Sequence, residues 1–275
     1  MKITKHITGP YAVLMTPFAG EKIDEHAFAE QVKRVNGTGV AGFVTNGSTA
    51  EFPFLSLQEQ MKMTELTARA AGAGKKLIVS ACTANAADTL RLCRHAASVG
   101  AEAVLVCQPY YFKYTQAERE AYFTTVADRS PVPVILYNIP FFTQDMELDV
   151  VYRMIRHENV WGIKDSSANM KRLMHMIDVA EDTPFSVLTG TDDILTAALF
   201  AGCAGSFTAF AAIFPDRVSA LYAAMAGGDA EKAKSIQADF MPLLRKADSV
   251  TFPKGYKALL AEVMGIPFGD KEPRR

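Results

Sequence analysis

The chain has no excess of either charge. Its 275 residues carry 29 Lys and Arg against 30 Asp and Glu, a formal net charge of −1. A phosphate-binding surface needs clustered cations, so this balance excludes an electrostatic case for nucleic acid or an anionic membrane. The one basic cluster, Lys271-Glu272-Pro273-Arg274-Arg275, reads as a solvated end. Cysteine is scarce and scattered: Cys82, Cys93, Cys107 and Cys203 include no C-x-x-C pair. Three of them lie in or beside apolar strand-like runs, where a free thiol acts as a small hydrophobe. Neither a disulfide framework nor a zinc site is implied. His6, His26, His95, His157 and His175 form no metal-spaced pair, so no metal is expected.

A signal-peptide core is missing too, because Lys2, Lys5 and His6 are followed by Gly9 and Pro10. Residues 194–214 are uncharged, long enough to raise the question of a membrane span. Their Gly, Ala, Ser and Thr content divides them into helix, turn, strand and turn, which is the pattern of buried soluble structure. A cytoplasmic protein is expected.

What the chain has is 49% hydrophobic and 21% charged residues, ample for a core. Short apolar or β-branched runs recur at residues 11–16, 42–45, 77–81, 103–107, 134–137, 161–164, 186–189 and 206–210. Between and after them lie stretches with helical spacing, at 25–36, 57–71, 86–99, 116–128, 148–157, 170–180, 193–201 and 215–226. Asp24, Ser56, Asn85 and Thr115 stand where helix N-caps belong, and Ser56 with Glu59 makes a capping box. Eight near-continuous apolar strands alternating with amphipathic helices predict an α/β fold, a (β/α)8 barrel, with an open doubly wound sheet as the alternative. Two more helical patterns, at 230–247 and 254–264, follow without further strands. The expected organisation is a catalytic barrel over residues 1–226 and a C-terminal helical extension over 227–275.

In such a barrel, functional groups collect at the carboxyl ends of the strands. Lys164 ends the sixth run, in Gly162-Ile163-Lys164-Asp165. At the reference lysine pKa, roughly one amine in 2,500 is neutral at pH 7, and only the neutral form attacks a carbonyl. Desolvation at an apolar strand end disfavours a charged amine and so favours a Schiff-base nucleophile. The plainer reading is a surface lysine just past a strand. Tyr137 lies 27 residues earlier, one βα unit. The two would occupy equivalent places on adjacent strands about 4.8 Å apart. A phenol there can serve as general acid and base, or simply pack. The Gly47-Ser48-Thr49 turn can present N–H groups and hydroxyls to a carboxylate, or be an ordinary strand-to-helix turn. Gly37-Thr38-Gly39-Val40-Ala41-Gly42 spells a dinucleotide fingerprint but follows a helix and precedes a strand, the reverse of the required context. Asn46-Gly47-Ser48 matches a glycosylation triplet by coincidence. Asp192-Asp193 reads as a helix N-terminal pair or as a site for substrate hydroxyls.

Four motifs in order, Gly47-Ser48-Thr49-Ala50-Glu51, Pro109-Tyr110-Tyr111, Tyr137-Asn138-Ile139-Pro140 and Gly162-Ile163-Lys164-Asp165, resemble the dihydrodipicolinate synthase/N-acetylneuraminate lyase family of pyruvate-dependent aldolases. The resemblance runs over essentially the whole chain. It implies that Lys164 forms an imine with a 2-oxo acid, usually pyruvate, with no other cofactor. By the same resemblance Tyr137 is the acid/base residue, and Ser48 relays protons between Tyr137 and Tyr111. Thr49 with Gly47 and Ser48 would hold the pyruvyl carboxylate, Phe207 would line the pyruvyl pocket, and Tyr111 would enter the neighbouring subunit's site in a homotetramer, a dimer of dimers.

Departures from the family pattern bear on substrate. Phe142, preceded by Phe141, stands where the synthases have an arginine that grips the aldehyde's carboxylate. Phenylalanine cannot supply a guanidinium's paired, charge-assisted hydrogen bonds. Around the last strands, Asp192 matches the hydroxyl-binding set of the sialic acid lyases, whereas Asp193, Ser166 and Ala209 replace other residues. Ala50 stands where glycine is usual. Gly190 opens the same segment. The expected function is a Schiff-base lyase or aldolase joining or releasing pyruvate and an aldehyde, most simply a 2-keto-3-deoxy-acid aldolase. Synthase or N-acetylneuraminate lyase activity, or a non-catalytic 2-oxo-acid sensor, are the alternatives.

Overall fold

The computed structural model describes residues 3–270; Met1, Lys2 and the basic tail from Lys271 lie outside the described residues. The strands are β1 (Gly9–Val13), β2 (Phe18–Ala19), β3 (Lys22–Ile23), β4 (Gly42–Thr45) and β5 (Lys76–Ser80). They continue with β6 (Ala103–Cys107), β7 (Val134–Asn138), β8 (Val160–Asp165), β9 (Ser186–Thr189) and β10 (Gly205–Thr208). Eight of them close into a barrel in the order β1-β10-β9-β8-β7-β6-β5-β4, and β2 and β3 form a separate hairpin. The helices are α1 (Glu25–Asn36), α2 (Leu57–Ala70), α3 (Ala86–Ser98), α4 (Gln116–Arg129), α5 (Leu148–Met154) and α6 (Met170–Ala180). After them come α7 (Leu195–Phe200), α8 (Phe210–Ile213), α9 (Pro215–Ala226), α10 (Ala230–Asp248) and α11 (Lys254–Met264). This is the (β/α)8 barrel with C-terminal helices that the alternation of strand and helix predicts.

The four expected N-caps accept the expected amides, Asp24 from Ala27, Ser56 from Glu59, Asn85 from Asp88 and Thr115 from Glu118. Both Ser56 and Thr115 complete capping boxes. Where boundaries differ from the sequence pattern, side chains or tightened turns are the cause. Strand β1 stops at Val13 because the Gln31 amide takes over the backbone of Met15, accepting from its N–H at 2.9 Å and donating to its carbonyl at 2.8 Å. Helix α5 stops at Met154, and its next residues tighten, with His157 N–H donating to Met154 at 3.1 Å. The last barrel strand ends at Thr208, since Ala209 takes helical backbone angles and starts α8. The β2–β3 hairpin escapes a reading of apolar runs because each strand is two residues long, turning at Gly20 with φ of +63°.

By compactness the chain forms two units, Met1–Gly9 with Ile78–Phe207 and Pro10–Leu77 with Thr208–Arg275. In the first, parallel ladders carry β5 through β9, with Cys107 opposite Tyr137, Tyr137 opposite Lys164 and Lys164 opposite Leu188. In the second, α10 and α11 pack on α8 through an aromatic cluster in which Phe210 meets Phe240 edge-on at 5.2 Å between ring centres.

The second unit also contains a fully buried ion pair. Lys257 of α11 donates to Glu51 at 2.6 Å, with side-chain exposures of 1% and 0%. Lys257 also reaches the Gly269 carbonyl and Asp270. Breaking a buried pair strands a charge and costs about 3–5 kcal/mol. Lys257→Met should therefore lower the unfolding free energy by about that amount in urea titration. Adding Glu51→Gln should recover part of the loss, whereas equal stability of wild type and Lys257→Met would remove this pair from the forces holding the unit together.

Candidate active site

Parallel pairing puts the side chains of Tyr137 and Lys164 at one level on neighbouring strands. Lys164 Nζ donates to the Tyr137 hydroxyl at 3.2 Å and lies 4.3 Å from the centre of its ring. Both side chains are withdrawn from solvent, with 4% of Lys164 and 2% of Tyr137 exposed. An amine and a phenol so placed can exchange protons with a substrate atom held beside them. Gly190, whose N–H donates to the Asp165 carbonyl at 2.8 Å, forms a wall of this space. A Cβ at Gly190 would run into Ser166 Oγ and stand 2.6 Å from Lys164 Cε. Glycine is there because the lysine stem fills the place of a side chain.

One residue further along the same two strands, Asn138 lies opposite Asp165. Successive strand residues face opposite ways, so this pair forms a second polar layer behind the first. Asp165 accepts from Asn138 at 2.9 Å, from Arg172 Nε at 2.8 Å and from Ser167 N–H at 2.9 Å. Asn138 also donates to Asp145 at 2.8 Å and accepts from the Met146 N–H at 3.0 Å. The network fixes the ends of β7 and β8 from which Tyr137 and Lys164 project. Sequence reasoning missed Asn138, Asp165 and Arg172 as contributors. The available signal was two polar residues 27 apart at the ends of otherwise apolar strands.

The loops after β6 and β7 form an aromatic rim. The Gln108 side chain donates to the Gln144 carbonyl, and the Tyr114 N–H donates to Gln144 Oε1 at 2.7 Å. Arg119 donates to the carbonyls of Tyr114 and Asp145. Stitched together in this way, the loops expose Tyr111, Phe112, Phe141 and Phe142. Tyr111 is 90% exposed and holds a backbone φ of +83°, the left-handed region that a bulky residue occupies only when its surroundings enforce it. Residues 139–147 contain neither lysine nor arginine.

In the second unit, β4 runs into Asn46 and Gly47 and then a tight turn over Ser48–Ala50, closed by Glu51 at φ of +59°. The amides of Ala50 and Glu51 are committed to that turn, donating to Gly47 and Ser48 at 3.0 Å each. Thr49 is buried, with its hydroxyl 3.4 Å from the Leu14 carbonyl, and Ser48 is half-buried. In the first unit Ser166, Asp192 and Phe207 are buried, whereas Asp193 is exposed just before α7. Among the described residues, no cluster of three or more His, Cys, Asp or Glu side chains could hold a metal, and no helix is long and apolar enough to cross a membrane.

The tight wall at Gly190 yields a direct test. Gly190→Ala should destabilise the fold by about 1–3 kcal/mol through overpacking against Lys164 and Ser166. Denaturant titration reads the loss; a variant as stable as wild type would mean that the lysine stem has room to spare.

Residues 6–274 match the model of the dihydrodipicolinate synthetase family. A 4-hydroxy-tetrahydrodipicolinate synthase of Methanosarcina barkeri is 32% identical over 95% of this chain and 90% of its own length. Among solved structures, the 2-keto 3-deoxygluconate aldolase from Picrophilus torridus superposes with a TM-score of 0.91 at 26% identity, covering 98% of this chain and 97% of that one. A prophage protein of the dihydrodipicolinic acid synthase family from E. coli K12, solved in complex with pyruvate, gives 0.90 at 27% identity, covering 97% and 92%. With its Tyr137–Lys164 pair at the strand ends of a closed barrel and a family match over almost its whole length, the chain belongs to the dihydrodipicolinate synthetase family.

Proposed function

We propose that this protein reversibly cleaves a 2-keto-3-deoxy acid to pyruvate and an aldehyde, through an imine on Lys164. Members of the family are pyruvate-dependent lyases, and the chain is an enzyme of that type. The observation that carries the assignment of residues is the 3.2 Å contact between the Lys164 amine and the Tyr137 hydroxyl, both buried. The neutral amine adds to the C2 carbonyl of the 2-oxo acid. Tyr137 delivers a proton to the carbinolamine oxygen, water leaves, and the cationic imine remains. That imine accepts the electron pair released when the C3–C4 bond breaks, while Tyr137 takes the proton from the C4 hydroxyl as the aldehyde departs. The enamine left on C3 is then protonated and hydrolysed to pyruvate. In this reading Ser48 and Tyr111 relay protons, and Gly47, Ser48 and Thr49 receive the carboxylate. Phe207 lines the pyruvyl pocket. The enzyme works in the cytoplasm as a homotetramer, in which Tyr111, 90% exposed on the single chain, is the group that meets a neighbouring copy.

Ser166, Asp192 and Asp193 favour a hydroxylated aldehyde, and the likeness to a 2-keto 3-deoxygluconate aldolase supports the same class. The exposed Phe141 and Phe142 favour an apolar or aromatic end instead. A second reading, 4-hydroxy-tetrahydrodipicolinate synthesis, has the names of the sequence relatives in its favour. Against it stands Phe142 in a loop without a cation, where a carboxylate-bearing aldehyde would go unpaired.

Borohydride with millimolar pyruvate should label the protein irreversibly on Lys164, and Lys164→Ala should abolish the label. Tyr137→Phe should cut turnover by about 10²–10⁴-fold while the protein stays folded. Wild type left unlabelled under these conditions would refute the imine. For substrate, Phe142→Arg should raise kcat/KM for a carboxylate-bearing aldehyde by about tenfold or more and leave 2-keto-3-deoxygluconate cleavage no better. Wild type that forms 4-hydroxy-tetrahydrodipicolinate faster than it cleaves 2-keto-3-deoxy acids would reverse the order of the two readings.

A further inference from the structure

The row of side chains that contains Lys164 and Tyr137 extends two strands further. Cys107 is opposite Tyr137, and Ser80 is opposite Leu105 on the next pair. Two residues beyond that last pair stand Cys82 and Cys107. The ladder holds as far as the Ala81 N–H, which donates to the Leu105 carbonyl at 2.8 Å. There it changes character, because the Cys107 N–H donates to the sulfur of Cys82 at 3.1 Å. The Ser80 hydroxyl donates to the same sulfur at 3.3 Å. The Cys82 thiol itself points to the Leu105 carbonyl, 3.7 Å away. Both thiols are free and buried, and the imine chemistry uses neither. Neighbouring strands are about 4.8 Å apart, inside the 4.4–6.8 Å Cα range that a disulfide spans.

A structural reading makes Cys82 a sulfur that ends the ladder, accepting from Cys107 and Ser80 and donating to Leu105, for which one thiol is enough. The residue whose N–H meets that sulfur carries a second buried thiol, which the structural role does not need. We infer that Cys82 and Cys107 are a site of reversible oxidation by peroxides, closing to a cross-strand disulfide beside the Tyr137–Lys164 pair. Cys82 is the attacking sulfur. Burial alone would push its thiol up, but hydrogen bonds from Cys107 and Ser80 and the charge of Lys164 bring it below its ordinary value. Cys107 is raised well above its own by the Cys82 contact and by burial, and keeps its proton. The Cys82 sulfur displaces water from hydrogen peroxide as the O–O bond breaks, leaving a sulfenic acid. The Cys107 sulfur then attacks it, the S–S bond forms, and the second water carries off the remaining thiol proton. Two thiols are oxidised by two electrons and one peroxide is reduced to two waters. With both thiols withdrawn from solvent, a bulky disulfide such as oxidised glutathione cannot reach either sulfur.

The test does not depend on the substrate. Folded wild-type protein is treated with hydrogen peroxide, then unfolded, alkylated and digested. A linked Cys82–Cys107 peptide, two hydrogens lighter than the separate pair and released by dithiothreitol, is expected. Cys93 and Cys203 should be alkylated in full, and oxidised glutathione should give no link under the same conditions. Cys107→Ser should replace the link by a Cys82 sulfenic acid that dimedone traps. Because the first arm needs only wild type, a variant that fails to fold does not blunt the test. Both thiols fully alkylated after peroxide, or Cys82 oxidised irreversibly to sulfinic acid with no link in wild type, would overturn the inference.

Discussion

The site depends on register. Tyr137 and Lys164 touch because β7 and β8 run parallel and pair residue for residue at their carboxyl ends. A slip of either strand by one position would turn its side chain to the opposite face of the sheet and part the pair. The same pairing that joins Tyr137 to Lys164 joins Asn138 to Asp165. Strand alternation then divides the work: one layer holds the amine and phenol, and the next holds an Asn–Asp–Arg network that anchors both strands. The network's cost in buried charge is offset by the hydrogen bonds that Asp165 accepts from three residues.

Much of this was legible from residue order. Repeated short apolar runs and capping residues predicted the barrel, because the barrel strands are buried on both faces over most of their length and a helix needs its first amides satisfied. Lys164 and Tyr137 could be placed together by their separation of one βα unit. Less legible were features that depend on side-chain reach across the fold. Lys257 and Glu51 are 206 positions apart, and nothing in either neighbourhood marks them as partners. Gln31 ending β1 and the helical turn at Ala209 belong to the same class. Cys82 and Cys107 carried the βα spacing in plain view, yet scattered cysteines in apolar runs read as packing until the fold set the Cys107 N–H on the Cys82 sulfur.

Chemistry and specificity are built from different parts. The amine, the phenol and their supports come from strand ends, whose positions the ladders fix. The exposed Phe141 and Phe142 lie on a loop whose backbone is tied by Gln108, Tyr114 and Arg119 to the loop before it. A loop held by backbone contacts can exchange its side chains without disturbing the strands beneath. This lets a chain about a third identical to synthases hold the Tyr137–Lys164 pair on its strands while presenting an apolar rim.

Four cations are buried among the described residues, and their partners differ in kind. Arg172 faces Asp165 at 2.8 Å and Lys257 faces Glu51 at 2.6 Å. Arg119 is surrounded by backbone carbonyls, and a guanidinium keeps its proton regardless. Lys164 alone has a phenol and the face of its ring. Taking a proton from Lys257 would strand a buried carboxylate, which costs several kcal/mol. The partner of Lys164 is a hydroxyl, which can both accept and donate. Lys164 is therefore set apart from the other three by the kind of partner it has, since burial is common to all four.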